Sequence, residues 1–197
     1  MRKAIAGVIL LVASAGFGSV RAQTPAPMAA DPATTAVVQQ AAGRVLSAVA
    51  AMGYEKHTLF LRAIVVEADA RRPLGTMKGN GVATINATQV RAAGLTDADV
   101  AWVIAHEFAH FILRHPARRA VAHAVQPAEA EQSALSKAHE LEADRLGLRL
   151  AAAAGYSFDP LGFFMRLRAG RLAGDGKTHP ADGVRVEAMS RLAAEGA

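Results

Sequence analysis

The chain has 197 residues, 52% of them hydrophobic, with no cysteine and a formal net charge of +5. That length suffices for one domain, and the lack of cysteine excludes disulfides, so burial alone must stabilise the fold. The charge makes no case for nucleic acid: residues 1–22 carry Arg2, Lys3 and Arg21 and no acid, so without them +5 becomes +2.

Met1-Arg2-Lys3 is a short basic region, followed by an apolar stretch of small residues from Ala4 to Val20. The strongly apolar core is too short for a good membrane span, so residues 1–22 read as a secretory signal. Val20-Arg21-Ala22 is the cleavage signal, with Ala13-Ser14-Ala15 as another site. The reading places the mature protein in the periplasm; the alternative is an uncleaved inner-membrane anchor. Residues 23–32 form a Pro/Ala-rich linker and residues 33–197 a single domain.

Within that domain Thr34 to Met52 reads as a helix ended near Gly53, and Leu59 to Val66 as an apolar, β-branched strand. Arg71 to Gly79 carries Pro and Gly and reads as a turn. Gly81 to Asn86 is a second strand, with a short helix over Ala87 to Ala93. Thr96 is placed to cap the next helix, with Asp97 and Asp99 at the positive end of its dipole. That helix is strongly apolar from Val100 to Leu113 and is closed by Pro116. Pro116 to Pro127 is Arg- and Ala-rich and reads as a lid over the cleft. A long helix spans Gln126 to Ala154, and helices near Asp159–Leu172 and Ala181–Ala194 end the chain. The fold class is α+β, helix-dominated, with a small sheet beside the helix of residues 100–113. Trp102 and Phe108 read as core.

Two runs in these helices carry chemistry. Residues 106–110 read His-Glu-Phe-Ala-His. Residues four apart on a helix share a face, so His106 and His110 aim two imidazoles at one point. This is the metal-binding signature of zinc peptidases, in which three protein ligands leave a position for water. Glu107, next to the first ligand, is the candidate general base. Residues 140–144 read Glu-Leu-Glu-Ala-Asp. Glu140 and Asp144 are one turn apart on one face, so Glu140 is the candidate third ligand and Asp144 the acceptor for a ligand histidine's free N–H. Glu142 points about 200° away around the helix axis. A third histidine of the metzincin kind belongs at the position of Pro116, so the pattern is a gluzincin one.

The run from His106 to His115, and Glu140-Leu141-Glu142-Ala143-Asp144-Arg145-Leu146-Gly147, resemble the HtpX/BepA-like zinc metallopeptidases, a group that includes the Ste-type CAAX prenyl protease. Gly155-Tyr156-Ser157-Phe158-Asp159-Pro160 resembles that family's "GYDP" turn, with an insertion. Thr178-His179-Pro180 followed by Arg185 resembles its "HP…R" segment. The motifs fall in the family's order across residues 55 to 195.

The resemblance implies one zinc at His106, His110 and Glu140, and catalysis by Glu107. It implies a role for His179 as oxyanion donor or as a plug of the open metal position, and for Arg185 as holder of a nearby carboxylate or as a helix cap. One departure is Lys78 to Asn86, where the family often has "NAF" before the substrate-facing strand. The implied activity is a zinc endopeptidase of the cell envelope acting on unfolded or misassembled proteins, with possible peripheral membrane association and no nucleic acid partner. The other functional reading is a latent, chaperone-like zinc protein that binds unfolded chains without cutting them.

Overall fold

The computed structural model describes residues 31–66, 72–125, 128–170 and 178–195. The segment read as a leader, residues 1–22, and residues 23–30 of the linker lie outside the described residues. No described helix is long and apolar enough to cross a membrane.

Helix α1 spans Pro32–Val49 and starts two residues earlier than the sequence suggests. The Asp31 carboxylate caps it by accepting from the Thr34 N–H at 2.9 Å, and Pro32 fits the first turn, where no N–H is needed. A wide turn over Ala50–Tyr54, in which Gly53 takes a φ of 86°, leads into the short α2, Glu55–Thr58. Only a residue without a Cβ adopts that φ cheaply, so the helical path that continues from α1 breaks at Gly53.

Three strands follow: β1 Arg62–Val66, β2 Gly75–Met77 and β3 Val82–Asn86. They form one sheet in the order β1-β3-β2. β1 runs parallel to β3, with Arg62 opposite Val82 and Val66 opposite Asn86. β2 is antiparallel to β3, with Gly75 opposite Ile85 and Met77 opposite Ala83. β2 corrects the sequence reading, which assigned Arg71–Gly79 to a turn. The turn proper is Lys78–Gly81, closed by the Gly81 N–H donating to the Lys78 carbonyl at 3.0 Å. Among the described residues β2 forms one edge of the sheet, while β3 is central and buried on both faces.

After α3 (Ala87–Ala92) comes α4, Asp97–Ile112. Thr96 and Asp99 form a reciprocal capping box at its start, and Arg166 grips the same Asp99 carboxylate at 2.8 and 2.9 Å. Every residue of α4 from Asp99 to His110 is buried. A helix buried on all sides belongs at the centre of its domain; here α4 packs on α1, β2, β3 and, most extensively, on α6. Trp102 and Phe108 are core, Trp102 lying flat against Phe158 at 4.5 Å.

Pro116 does more than stop α4. Leu113 and Arg114 break the helix, Arg114 taking a left-handed φ of 59°, and a new helix α5 runs over His115–Ala124 with Pro116 in its first turn. The segment read as a lid is thus a regular helix through residue 124. Helix α6 spans Glu129–Ala153, α7 Pro160–Ala169 and α8 Asp182–Ala194.

Candidate metal centre

Helices α4 and α6 cross so closely that Gly147 faces the backbone of His106 directly. This contact brings the imidazoles of α4 against the carboxylate face of α6. Nε2 of His106 and Nε2 of His110 stand 3.1 Å apart. Oε2 of Glu140 is 3.3 Å from the first, and Oε1 is 3.4 Å from the second. All three residues are buried and form the metal-capable cluster found among the described residues.

These separations test the fit for a metal. Ligands at about 2.0–2.1 Å from a tetrahedral ion are about 3.3 Å from one another, which is the spacing seen. The Glu140 Oε2 atom is buried without a hydrogen-bond partner despite its neighbours. That unpartnered oxygen and the two Nε2 atoms lie close enough together to be ligands of a single ion.

Electrostatics agree. Burial opposes charge on His106, but the carboxylates of Asp144 and Glu140 outweigh it and raise the imidazole to about 10. The site favours a positive charge at that spot, which a divalent cation would supply in place of a proton. Burial and the neighbouring His106 push His110 down to about 2, leaving it the neutral imidazole that zinc takes. Burial also acts against the Glu140 carboxylate, yet His106 holds it below the usual range.

Around this cluster the other residues singled out in the sequence take distinct places. Glu107 is buried, and its carboxylate lies against Gly75 of β2; a Cβ at residue 75 would stand 2.7 Å from Oε1. Burial pushes Glu107 up to about 7. Asp144 Oδ1 is 3.0 Å from Nδ1 of His106. Arg185 holds Asp144 through two bonds, Nε to Oδ2 at 2.7 Å and Nη2 to Oδ1 at 2.5 Å. Its guanidinium also covers the Phe164 ring at 5.2 Å. His179 is nearly half exposed, with Nε2 3.5 Å from Oε2 of Glu140.

Residues 120–193 match the model of peptidase family M48. That stretch is M48-like. The matched stretch holds Glu140, Asp144, His179 and Arg185, while His106, Glu107 and His110 lie just ahead of it. The M48 match and the His-Glu-Phe-Ala-His run thus bear on different parts of the chain, the first similar to a peptidase family and the second supplying two of the three residues of the metal-capable cluster. They uphold the resemblance to HtpX/BepA-like zinc metallopeptidases and the helix-dominated α+β fold. No curated protein matches the chain.

Sequence reasoning missed three buried or half-buried neighbours of this M48-like centre. His115 Nδ1 lies 2.8 Å from His110 Nδ1. Glu142 Oε2 lies 3.1 Å from His115 Nε2 and accepts from Arg118 at 2.6 Å. His139 stacks flat on His115, with centroids 4.2 Å apart and planes within 7°. Pro116 was the available signal: a proline four residues past the end of α4 suits the first turn of a second helix, which redirects His115.

Proposed function

We propose that the protein is a zinc-dependent endopeptidase that cuts unfolded or misassembled proteins of the bacterial cell envelope. The observation that carries this reading is the convergence of His106, His110 and Glu140 at tetrahedral ligand spacing; His106 and Glu140 also act electrostatically on the buried Glu107 carboxyl. Those three residues hold the metal. When bound, zinc supplies Lewis acidity to a water and to the peptide carbonyl.

Glu107 has the position and environment of a proton carrier. Its buried carboxyl, raised to about 7, takes the proton of the attacking water and returns it to the leaving nitrogen near neutral pH. His179 donates from Nε2 to the oxygen that gains charge as the carbonyl is attacked. Arg185 keeps Asp144 ionised beside His106, which favours the tautomer with a bare Nε2. The edge strand β2 supports the substrate class: Gly75 brings it against Glu107, so an extended chain can add to that edge through main-chain hydrogen bonds. Such binding reads backbone more than side chains, which suits unfolded proteins. Envelope placement rests on the signal-like residues 1–22.

Metal quantification and casein cleavage test the proposal. One zinc per chain, activity lost to chelator, zinc retained but activity lost in Glu107→Gln, and zinc lost in Glu140→Gln are the expected results. A Glu107→Gln variant that cuts like wild type overturns the mechanism.

The position of His179 favours a second, latent form of the same centre. With Nε2 3.5 Å from Glu140, the ring stands where it can block access to the metal. Release of activity in His179→Ala is the signature of latency, and a wild type that holds unfolded chains without cutting them is that of a chaperone-like binder.

A further inference from the structure

We propose that His115 and Glu142 are positioning residues that fix the tautomer of His110, and thereby turn its Nε2 lone pair toward the metal. The inference rests on the metal-centre reading above and deepens it. His110 and His115 are five residues apart, which on an unbroken helix places them about 140° from each other. The break at Leu113–Arg114, with the left-handed φ of 59° at Arg114, turns the chain so that the two rings meet. Their Nδ1 atoms are 2.8 Å apart, so one must carry a proton and the other a lone pair.

Glu142 decides which. Its Oε2 lies 3.1 Å from Nε2 of His115, and a carboxylate only accepts. Nε2 of His115 therefore carries the proton, and its Nδ1 is bare. His110 then donates from Nδ1 into that lone pair, which leaves its own Nε2 bare, facing His106 and Glu140. The order runs Glu142, His115, His110, centre. Arg118 anchors the outer end, donating to the same Glu142 oxygen at 2.6 Å. His139 fixes the ring plane by stacking on His115, which has no solvent exposure. The opposite assignment, with a proton on Nδ1 of His115, puts the His110 proton on Nε2 and removes a metal donor.

Nitrogen NMR of the zinc-loaded full chain with labelled histidine reads the tautomers of the wild type directly. The expected result is Nδ1–H on His110 and Nε2–H on His115. Zinc competition and the visible spectrum of the cobalt-substituted protein read the variants. His115→Leu should weaken zinc about 10- to 100-fold and shift the cobalt bands. His115→Asn should recover most of that loss, because its side-chain oxygen can accept from His110 where Nδ1 did. Glu142→Gln, which still accepts from His115, should lose less than Glu142→Leu. An Nδ1–H tautomer at His115 overturns the proposal, as does an equal loss in folded Leu and Asn variants or a His115→Leu variant with wild-type affinity and spectrum. Should His115→Leu fail to fold, the wild-type tautomers still decide. A wild type that takes up no zinc overturns the metal centre itself, and this inference with it.

Discussion

Gly147 and His106 touch through backbone rather than side chains: a Cβ on Gly147 would lie 2.9 Å from both the nitrogen and the Cα of His106. Neither atom belongs to a flexible side chain, so the two helices must part to admit a methyl group. By helix propensity alone Gly147→Ala should gain about 1 kcal/mol. The expected outcome is instead a loss of about 1–3 kcal/mol, as in other overpacked cores, with weaker zinc binding because the ligands on α4 and α6 separate. Urea denaturation and zinc competition measure both, and a gain in stability at unchanged affinity would refute the close contact.

Gly75 stands in the same relation to Glu107. A methyl group there meets Glu107 Oε1 at 2.7 Å and Val103 at 3.0 Å. The Glu107 carboxylate can move aside, so folding should survive while proton transfer suffers. Gly75→Ala should keep its zinc and lose about 100-fold in kcat, the scale of a misplacement of about 1 Å. Unchanged kcat at full metal content would show that the carboxylate tolerates the shift.

Glu107 also links pH to stability. Burial raises its carboxyl from 4.5 to about 7 in the folded protein. A raised folded value stabilises below the unfolded one, and that contribution is lost as pH climbs through about 7. At full burial the difference is worth about 3 kcal/mol. In protein stripped of metal, Glu107→Gln should therefore match wild type near pH 4 and exceed it in stability by up to that amount at pH 8. For catalysis the sign reverses, because the base works deprotonated. kcat/KM should rise with pH along an acidic limb at or below about 7, the cation favouring the ionised form. Melting curves and pH–rate profiles test the two limbs separately.

Arg185 and Asp144 form a buried ion pair, bidentate at 2.5 and 2.7 Å. Removing one partner leaves the other charged and unpaired, at a cost of about 3–5 kcal/mol. Arg185→Met should show that loss, and adding Asp144→Asn should restore part of it. A double-mutant cycle with no coupling would place the stabilisation elsewhere.

The His106, His110 and Glu140 cluster was legible in the sequence because metal-ligand chemistry demands fixed spacing. A four-residue step unites His106 with His110, and helix rotation separates Glu140 from Glu142. The capping box at Thr96 was half legible: Thr96 was read as the cap, but its reciprocal bond with Asp99 needed coordinates. β2 was not legible, since three residues flanked by Pro73 and holding Gly75 look like a turn. In a strand such a glycine marks a close approach, here to Glu107. The contact of His115 with His110 was hidden because it depends on a single left-handed residue, Arg114, whose side chain gives no hint of that backbone. Residues 1–22, on which the envelope reading depends, lie outside the described residues.

A chain without cysteine lacks the covalent staple that many exported proteins use. An ion shared by His106, His110 and Glu140 would tie a loop of about 30 residues, from His110 to Glu140, into a ring. Closing a loop of that size removes about 3–4 kcal/mol of disorder from the denatured chain. Chelation should then lower Tm by roughly 10 °C, besides ending catalysis. The ion would thus serve as clasp and reagent at once, so that a molecule stripped of it becomes easier prey for proteases.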